Sequence, residues 1–318
     1  MALTVIVAMP VGAQNPPHRA LAAVATARLP AGVSFMNDVK ELRFSLPHIE
    51  LAAKAFGPED GQPVLALHGW LDNANSFARL GPRLKGVRVV ALDLAGHGFS
   101  GHRPPGAIYT LWDYAYDVLQ VAEQLGWERF ALLGHSLGAI ISTLMAGALP
   151  ERIERVALID GLVPPDFPPR DPVERLGQAL REQLALGRKR KAVHPALERA
   201  VEARMKGHVA VSREASEILA ERGLMAVPGG FSWRSDARLM LSSPVRMSEA
   251  QALAFVHAIQ CPAQLIVAEQ GYLARQHELL AALPFTSVTL PGGHHLHLND
   301  EAGADLVADC INTFFSVS

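Results

Sequence analysis

The chain has 318 residues, 49% of them hydrophobic and 19% charged, enough apolar side chain to fill a large core and too little polarity for wholesale disorder. Its 29 Lys and Arg against 31 Asp and Glu leave a formal net charge of −2, so no strong field draws in nucleic acid or an anionic membrane; a small, uncharged or weakly charged substrate is the expected partner. The 2 cysteines, Cys261 and Cys310, stand in no metal-ligand or redox spacing, and no apolar run reaches the ~18 residues needed to span a bilayer.

Residues 1–13 are apolar and end near small residues, but they lack the basic n-region of an export signal. Residues 14–34 are rich in Ala, Pro and isolated Arg without periodicity. Residues 1–35 are therefore expected to be a disordered extension or the result of a start assigned too early, and the protein to be cytoplasmic, with export as the alternative. From Glu41 to Gly57 apolar and polar residues alternate around Leu46-Pro47-His48, which predicts an antiparallel hairpin at a sheet edge. Val64-Leu65-Ala66-Leu67, Val89-Val90-Ala91-Leu92, Phe130-Ala131-Leu132-Leu133 and Val156-Ala157-Leu158-Ile159 are continuous apolar runs, the pattern of parallel strands covered on both faces. Between them, Trp112 to Leu125 carries apolar residues at helical spacing and Leu137 to Leu149 is apolar almost all round. The alternation predicts an α/β fold with a mostly parallel, doubly wound sheet, whose strands end on one ligand-binding edge. From Val163 to Ile259 it stops and a charged, mostly helical insertion follows, until Gln264-Leu265-Ile266-Val267-Ala268 resumes the strand pattern. The expected organisation is a core of 36–162 and 260–318 with a helical cap, 163–259, over the site. Arg188-Lys189-Arg190-Lys191 within it reads as a solvated helix end.

Gly134-His135-Ser136-Leu137-Gly138 falls directly between an apolar strand and an apolar helix. A serine in so tight a turn has a strained backbone and crowded neighbours, so glycine is needed on both sides, and its hydroxyl is lifted toward solvent at the helix start. Ser136 is the candidate nucleophile. Acyl transfer places negative charge on a carbonyl oxygen, which two backbone N–H groups must meet. Leu137 should supply one, and Trp70, in the turn His68-Gly69-Trp70 after the strand ending at Leu67, the other. A serine also needs a base. Of the 13 histidines, His68, His97 and His135 lie in tight turns and read as loop-holding groups. Gly292-Gly293-His294-His295-Leu296-His297 follows the strand Ser287-Val288-Thr289-Leu290 and precedes the last helix, near Ala302 to Phe315. His294 is the chosen base, with His295 and His297 as substitutes that would otherwise orient the loop.

With these motifs in this order, together with Asp93-Leu94-Ala95-Gly96-His97-Gly98, the chain resembles the α/β-hydrolase superfamily from about Glu41 to its end. Leu71-Asp72-Asn73, the His-His-Leu-His ending and Trp233-Arg234-Ser235-Asp236 make it most similar to serine hydrolase-like proteins. The related dehalogenases and epoxide hydrolases use an Asp nucleophile, against which Ser136 argues. The resemblance implies an acid after the sixth or seventh strand. Members with it after the seventh carry Asp a few residues past the strand end, where this chain has Gly271. Asp160, which ends the sixth strand and keeps the order Ser, Asp, His, is therefore the first choice, and Glu269 the alternative acid. The expected activity is hydrolysis of a carboxylic ester, or a related acyl or carbon–carbon bond, through an acyl-serine intermediate, with no metal or organic cofactor implied. The alternatives are a cofactor-free acyltransferase or perhydrolase, which would share the same groups, and a non-catalytic ligand-binding member of the fold.

Overall fold

The alternating segment that opens the core forms a hairpin: β1 (Lys40–Leu46) and β2 (Ile49–Phe56) pair antiparallel about Pro47 and His48. The structure, a computed structural model, describes residues 39–164, 171–187, 191–207 and 209–316. The expected extension 1–35 and residues 188–190 of the basic cluster lie outside the described residues. The chain continues through β3 (Gln62–Leu67), β4 (Val87–Leu92), α1 (Leu111–Leu125), β5 (Phe130–His135), α2 (Leu137–Ala148) and β6 (Ile153–Ile159). The Thr110 hydroxyl, accepting from the Asp113 amide, starts α1, and Gly126 at φ 71° stops it.

After β6 come α3 (Pro172–Leu186), α4 (Leu197–Met205), α5 (Arg213–Gly223), β7 (Leu224–Val227), β8 (Gly230–Trp233) and α6 (Glu249–Ala258). The insertion is thus not wholly helical. β7 and β8 form an antiparallel hairpin around Pro228-Gly229, where Gly229 and Gly230 take φ of 90° and 140° that glycine alone adopts readily. β9 (Ala263–Gln270), α7 (His277–Ala281), β10 (Thr286–Gly293), α8 (Leu296–Asn299) and α9 (Glu301–Ser316) complete the chain.

Among the described residues, the main sheet has eight strands in the order β1-β2-β4-β3-β5-β6-β9-β10, antiparallel at β1-β2 and β2-β4 and parallel elsewhere. Because side chains alternate along a strand, Leu65, Leu132 and Leu158 face Val118, Val121, Ile141 and Met145, while Val64, Leu133 and Ile266 face Phe77, Leu80, Val307 and Ile311. The continuous apolar runs are explained by this covering of both faces. Cys261 and Cys310 are free thiols and half-buried, rather than fully buried as their composition class suggests. No helix among the described residues is long and apolar enough to cross a membrane.

The insertion is tied to the sheet edge by buried polar contacts. Arg222 at the end of α5, 2% exposed, donates through Nε to both Asp93 oxygens at 2.9 and 2.8 Å, and lies 4.5 Å over the Phe99 ring. Asn73 and Asn75 donate to the Leu219 and Ile218 carbonyls at 2.9 and 2.7 Å, and the Trp70 indole to the Leu239 carbonyl at 3.0 Å.

Candidate active site

Ser136 stands between β5 and α2 at φ 51° and ψ −112°, a left-handed backbone for a residue with a side chain. The crowding expected of the turn is visible in its glycines. A Cβ on Gly138 would come within 1.9 Å of the Leu67 carbonyl oxygen, one on Gly134 within 2.5 Å of the Ala139 backbone, and one on Gly161 within 2.6 Å of the Ser136 carbonyl oxygen. Leu137 is the first residue of α2, so its amide has no carbonyl partner within the helix. The next amide, Gly138, donates to the His68 carbonyl at 3.1 Å, which docks the turn carrying Trp70 against the turn carrying Ser136. Leu137 and Trp70, both half-buried, are therefore held on one edge of the sheet.

Asp160 follows β6 at φ 41°, with its amide donating to the Ile266 carbonyl at 2.8 Å. Its fully buried carboxylate receives three N–H groups: His294 Nδ1 at 2.6 Å and the Tyr272 amide at 3.0 Å on Oδ2, and the Ala268 amide at 3.3 Å on Oδ1. Because a carboxylate can only accept, His294 carries its proton on Nδ1. Its Nε2 forms no hydrogen bond among the described residues, and the Tyr272 ring meets the imidazole edge-on at 4.5 Å. Glu269, the other candidate acid, is exposed at the end of β9. Gly271 has a second role: a Cβ there would lie 2.2 Å from Asp160 Oδ2, so glycine leaves the space that the Asp160 carboxylate occupies.

The substitute histidines are engaged differently. His295 donates from Nε2 to Asp72 Oδ2 at 2.9 Å, and His297 Nε2 pairs with the Ser76 hydroxyl at 3.1 Å. Each has its Nε2 occupied, whereas a base facing Ser136 needs that nitrogen open. His135, fully buried, donates from Nε2 to the His294 carbonyl at 3.0 Å and packs its ring within 4.8 Å of those of His294, His295 and His297. His68 donates from Nδ1 to the Gly69 carbonyl at 2.7 Å and accepts from the Leu94 amide at 3.0 Å. His97 accepts from the Leu71 amide at 3.2 Å. Loop-holding is thus the observed part played by His68, His97 and His135. Burial lowers all of them: His68 to about 4, His97 and His297 to about 3, His135 well below its ordinary value, and His295 below it too. All five are therefore neutral hydrogen-bonding groups near pH 7.

Asp72 is the residue whose part the sequence did not disclose. Burial alone would raise its carboxyl, but the His295 N–H and the Arg204 guanidinium outweigh that and hold it well below the usual carboxylate range. Asp72, His135 and His295 place three potential metal-ligand atoms within 4.8 Å of one another. The donor set suits a cation poorly: Arg204 already supplies positive charge to Asp72 Oδ1 at 2.8 Å, and the His295 proton occupies Oδ2.

These features define a class. A family model for the α/β hydrolase fold matches residues 62–300, and the chain belongs to that family. Within it, the chain is 32% identical over 286 residues to a serine hydrolase-like protein of Danio rerio, covering 85% of this chain and 87% of that one. Among solved structures, the hypothetical protein PA1622 from Pseudomonas aeruginosa PAO1 is 63% identical, with a TM-score of 0.85 over 87% of this chain and 100% of that one. A thioesterase domain from the curacin biosynthetic pathway is 26% identical, with a TM-score of 0.78 over 87% of this chain and 100% of that one. The chain is therefore a serine hydrolase-like member of the α/β hydrolases.

Proposed function

We propose that the protein hydrolyses a carboxylic ester or thioester of a small, weakly charged acyl group through an acyl-Ser136 intermediate, with the 163–259 insertion as the cap that shapes the pocket. The observation that carries this reading is the 2.6 Å bond from His294 Nδ1 to buried Asp160, which leaves Nε2 open on the edge where strained Ser136 sits. In this reaction Nε2 takes the hydroxyl proton as Oγ bonds to the acyl carbon, and the carbonyl electron pair moves to oxygen, held by the Leu137 and Trp70 amides. Collapse of that adduct expels the alcohol or thiol oxygen or sulfur, which leaves with the proton from Nε2. Water repeats the sequence on the acyl-enzyme and frees the acid. Asp160 stabilises the imidazolium formed at each step and keeps its Nδ1 protonated. The thioester is included because of the likeness to the curacin thioesterase domain.

The test is labelling with a fluorophosphonate probe followed by peptide mass spectrometry, alongside p-nitrophenyl esters and acyl thioesters of increasing chain length. The expected result is one adduct, on Ser136, lost in Ser136→Ala together with turnover. An adduct that persists in that variant, or a wild-type protein inert to probe and substrates alike, overturns the reading.

A further inference from the structure

Among the described residues, three that are not glycine take a left-handed backbone: Ser136 at φ 51°, Asp160 at φ 41° and Leu71 at φ 63°. Such conformations cost about 1–3 kcal/mol each and persist where the surroundings demand them. Two of the three belong to the proposed reaction. The third, Leu71, is pinned by its amide to His97 Nε2 at 3.2 Å and delivers the next residue, Asp72, into a fully enclosed place against His295.

Four chain segments meet at that carboxylate. Arg204 of α4, 12% exposed, donates from Nη2 to Oδ1 at 2.8 Å; His295, in the loop after β10, donates to Oδ2 at 2.9 Å. His135 of β5 stands 3.7 Å from Oδ2, and the Asp72 amide donates to the Gly69 carbonyl at 3.2 Å. Space is closed as well: a Cβ on Gly69 would lie 3.1 Å from Asp72 Oδ2 and 3.0 Å from His135 Nδ1. The loop carrying the open imidazole is thus clamped at two consecutive residues, His294 through its carbonyl by His135, and His295 through its ring by Asp72. Among the described residues, only one of the groups holding Asp72, Arg204, comes from the insertion between β6 and β9. A buried carboxylate without its cation is strongly disfavoured, so the clamp is complete only when α4 is seated.

We propose that Asp72 is a positioning residue through which the seating of the insertion, by way of Arg204, sets the placement of His294. This rests on the acyl-serine reading of the site and adds to it a coupling: an insertion displaced from the core leaves Asp72 unpaired, loosens His295 and moves the adjacent base. Asp72 touches neither substrate nor reacting atoms. The groups facing His294 are Asp160 from the end of β6, Tyr272 from the turn after β9, His135 from β5 and its neighbour His295. Removing Arg204 leaves an added negative charge near them and favours protonated His294; removing the Asp72 charge leaves Arg204 unpaired and does the reverse.

The experiment compares Asp72→Asn, Arg204→Met, Arg204→Lys and the Asp72→Asn/Arg204→Met double variant. It reads kcat and KM on a p-nitrophenyl ester, the NMR titration of the His294 imidazole, and thermal melting as a check on folding. Each of the first two variants should lower kcat by ~10–100-fold with KM within about twofold. The double variant should be no worse than the poorer single, and Arg204→Lys should recover most of the activity. The His294 titration midpoint should move up in Arg204→Met and down in Asp72→Asn. Arg204 is partly exposed whereas Asp72 is fully enclosed, so Arg204 remains testable should Asp72→Asn fail to fold. A His294 midpoint unmoved by Arg204→Met, or singles whose losses in kcat simply multiply in the double, overturns the proposal. The NMR titration needs no turnover: an inert wild-type protein sinks the acyl-serine reading, whereas an active one with unmoved midpoints sinks the coupling alone.

Discussion

Asp160→Asn is the substitution on which the proposed chemistry stands most directly. The amide has the shape of the carboxylate, so packing around this fully buried side chain is preserved. Its hydrogen-bonding is not. All three groups around Asp160 are donors: His294 Nδ1 and the Tyr272 amide at Oδ2, and the Ala268 amide at Oδ1. An NH2 group must therefore face a donor wherever it is placed. The shorter bonds, 2.6 and 3.0 Å, converge on Oδ2, so the NH2 is best tolerated opposite Ala268, 3.3 Å away. In that orientation the tautomer is kept but the imidazolium loses its counter-charge; in the other, His294 must accept at Nδ1 and carry its proton on Nε2, where it cannot take one from Ser136. Losses of up to ~10⁴-fold in kcat follow from the second arrangement, equivalent to about 5.5 kcal/mol of transition-state stabilisation. The first gives a smaller loss. One buried donor goes unmet in either case, at about 1–3 kcal/mol of stability. The assay is kcat on a p-nitrophenyl ester normalised to correctly folded protein, with Glu269→Gln as control, since exposed Glu269 should matter little. A fall below tenfold in Asp160→Asn, or a larger loss in Glu269→Gln, refutes the assignment.

Gly271→Ala should be almost as damaging, because its Cβ would fall 2.2 Å from Asp160 Oδ2; displacing that carboxylate by ~1 Å should cost about 10²-fold in kcat/KM. Normal kinetics with an unshifted Asp160 in a crystal structure of the variant would contradict it. Arg222→Met leaves Asp93 buried without its cation at a cost of about 3–5 kcal/mol, read as a Tm lower by ~10 °C; a change under about 3 °C would show that Asp93 is satisfied by other means. Acid should destabilise the fold earlier than carboxylate titration would. Burial lowers His68 to about 4 and His97 and His297 to about 3, all below the unfolded value of 6.5, so the unfolded chain binds protons first. Stability is then intact above pH 6.5 and falls as pH drops from there toward 3–4, by about 1.4 kcal/mol per pH unit for each of these histidines. Urea midpoints at pH 8, 7, 6 and 5 check this: the first two should agree and the last two fall steeply, and equal midpoints at pH 7 and 5 would rule it out.

Much of this architecture is legible without coordinates, for identifiable reasons. Strands buried on both faces must be continuously apolar, and Val64, Val89, Phe130, Val156 and Leu265 each open or fall early in such a run. The turn at Ser136 needs glycine at 134 and 138 because Leu67 and Ala139 leave no room for a Cβ, and that need shows in the sequence. Asp160 could be reached from topology, since β6 ends on the edge where β5 ends. What escaped depends on pairs far apart in the chain. Arg222 and Asp93 are separated by 129 positions, and Arg204 and Asp72 by 132, with no periodicity to connect them. The hairpin of β7 and β8 escaped because four-residue strands in a charged, helix-rich stretch carry too little alternation; Pro228-Gly229-Gly230 was the one cue. Asp72-Asn73 was visible as a resemblance, but only the fold shows that both side chains reach into the insertion.

The position of the acid follows from a competition for one small volume. β6 and β9 are paired neighbours with Ile159 opposite Ile266, so the chain leaves both strands at the same edge, beside the loop that carries His294. A side chain from either strand end could reach Nδ1. Both cannot, because any Cβ at 271 falls 2.2–2.5 Å from the carboxylate of Asp160. An acid at 160 therefore requires glycine at 271. The same turn after β9 places its Tyr272 amide on Asp160 Oδ2, and so supplies a donor to the carboxylate that Gly271 makes room for. The residue that looked in sequence like a missing acid is, in the fold, half of the acid's binding site.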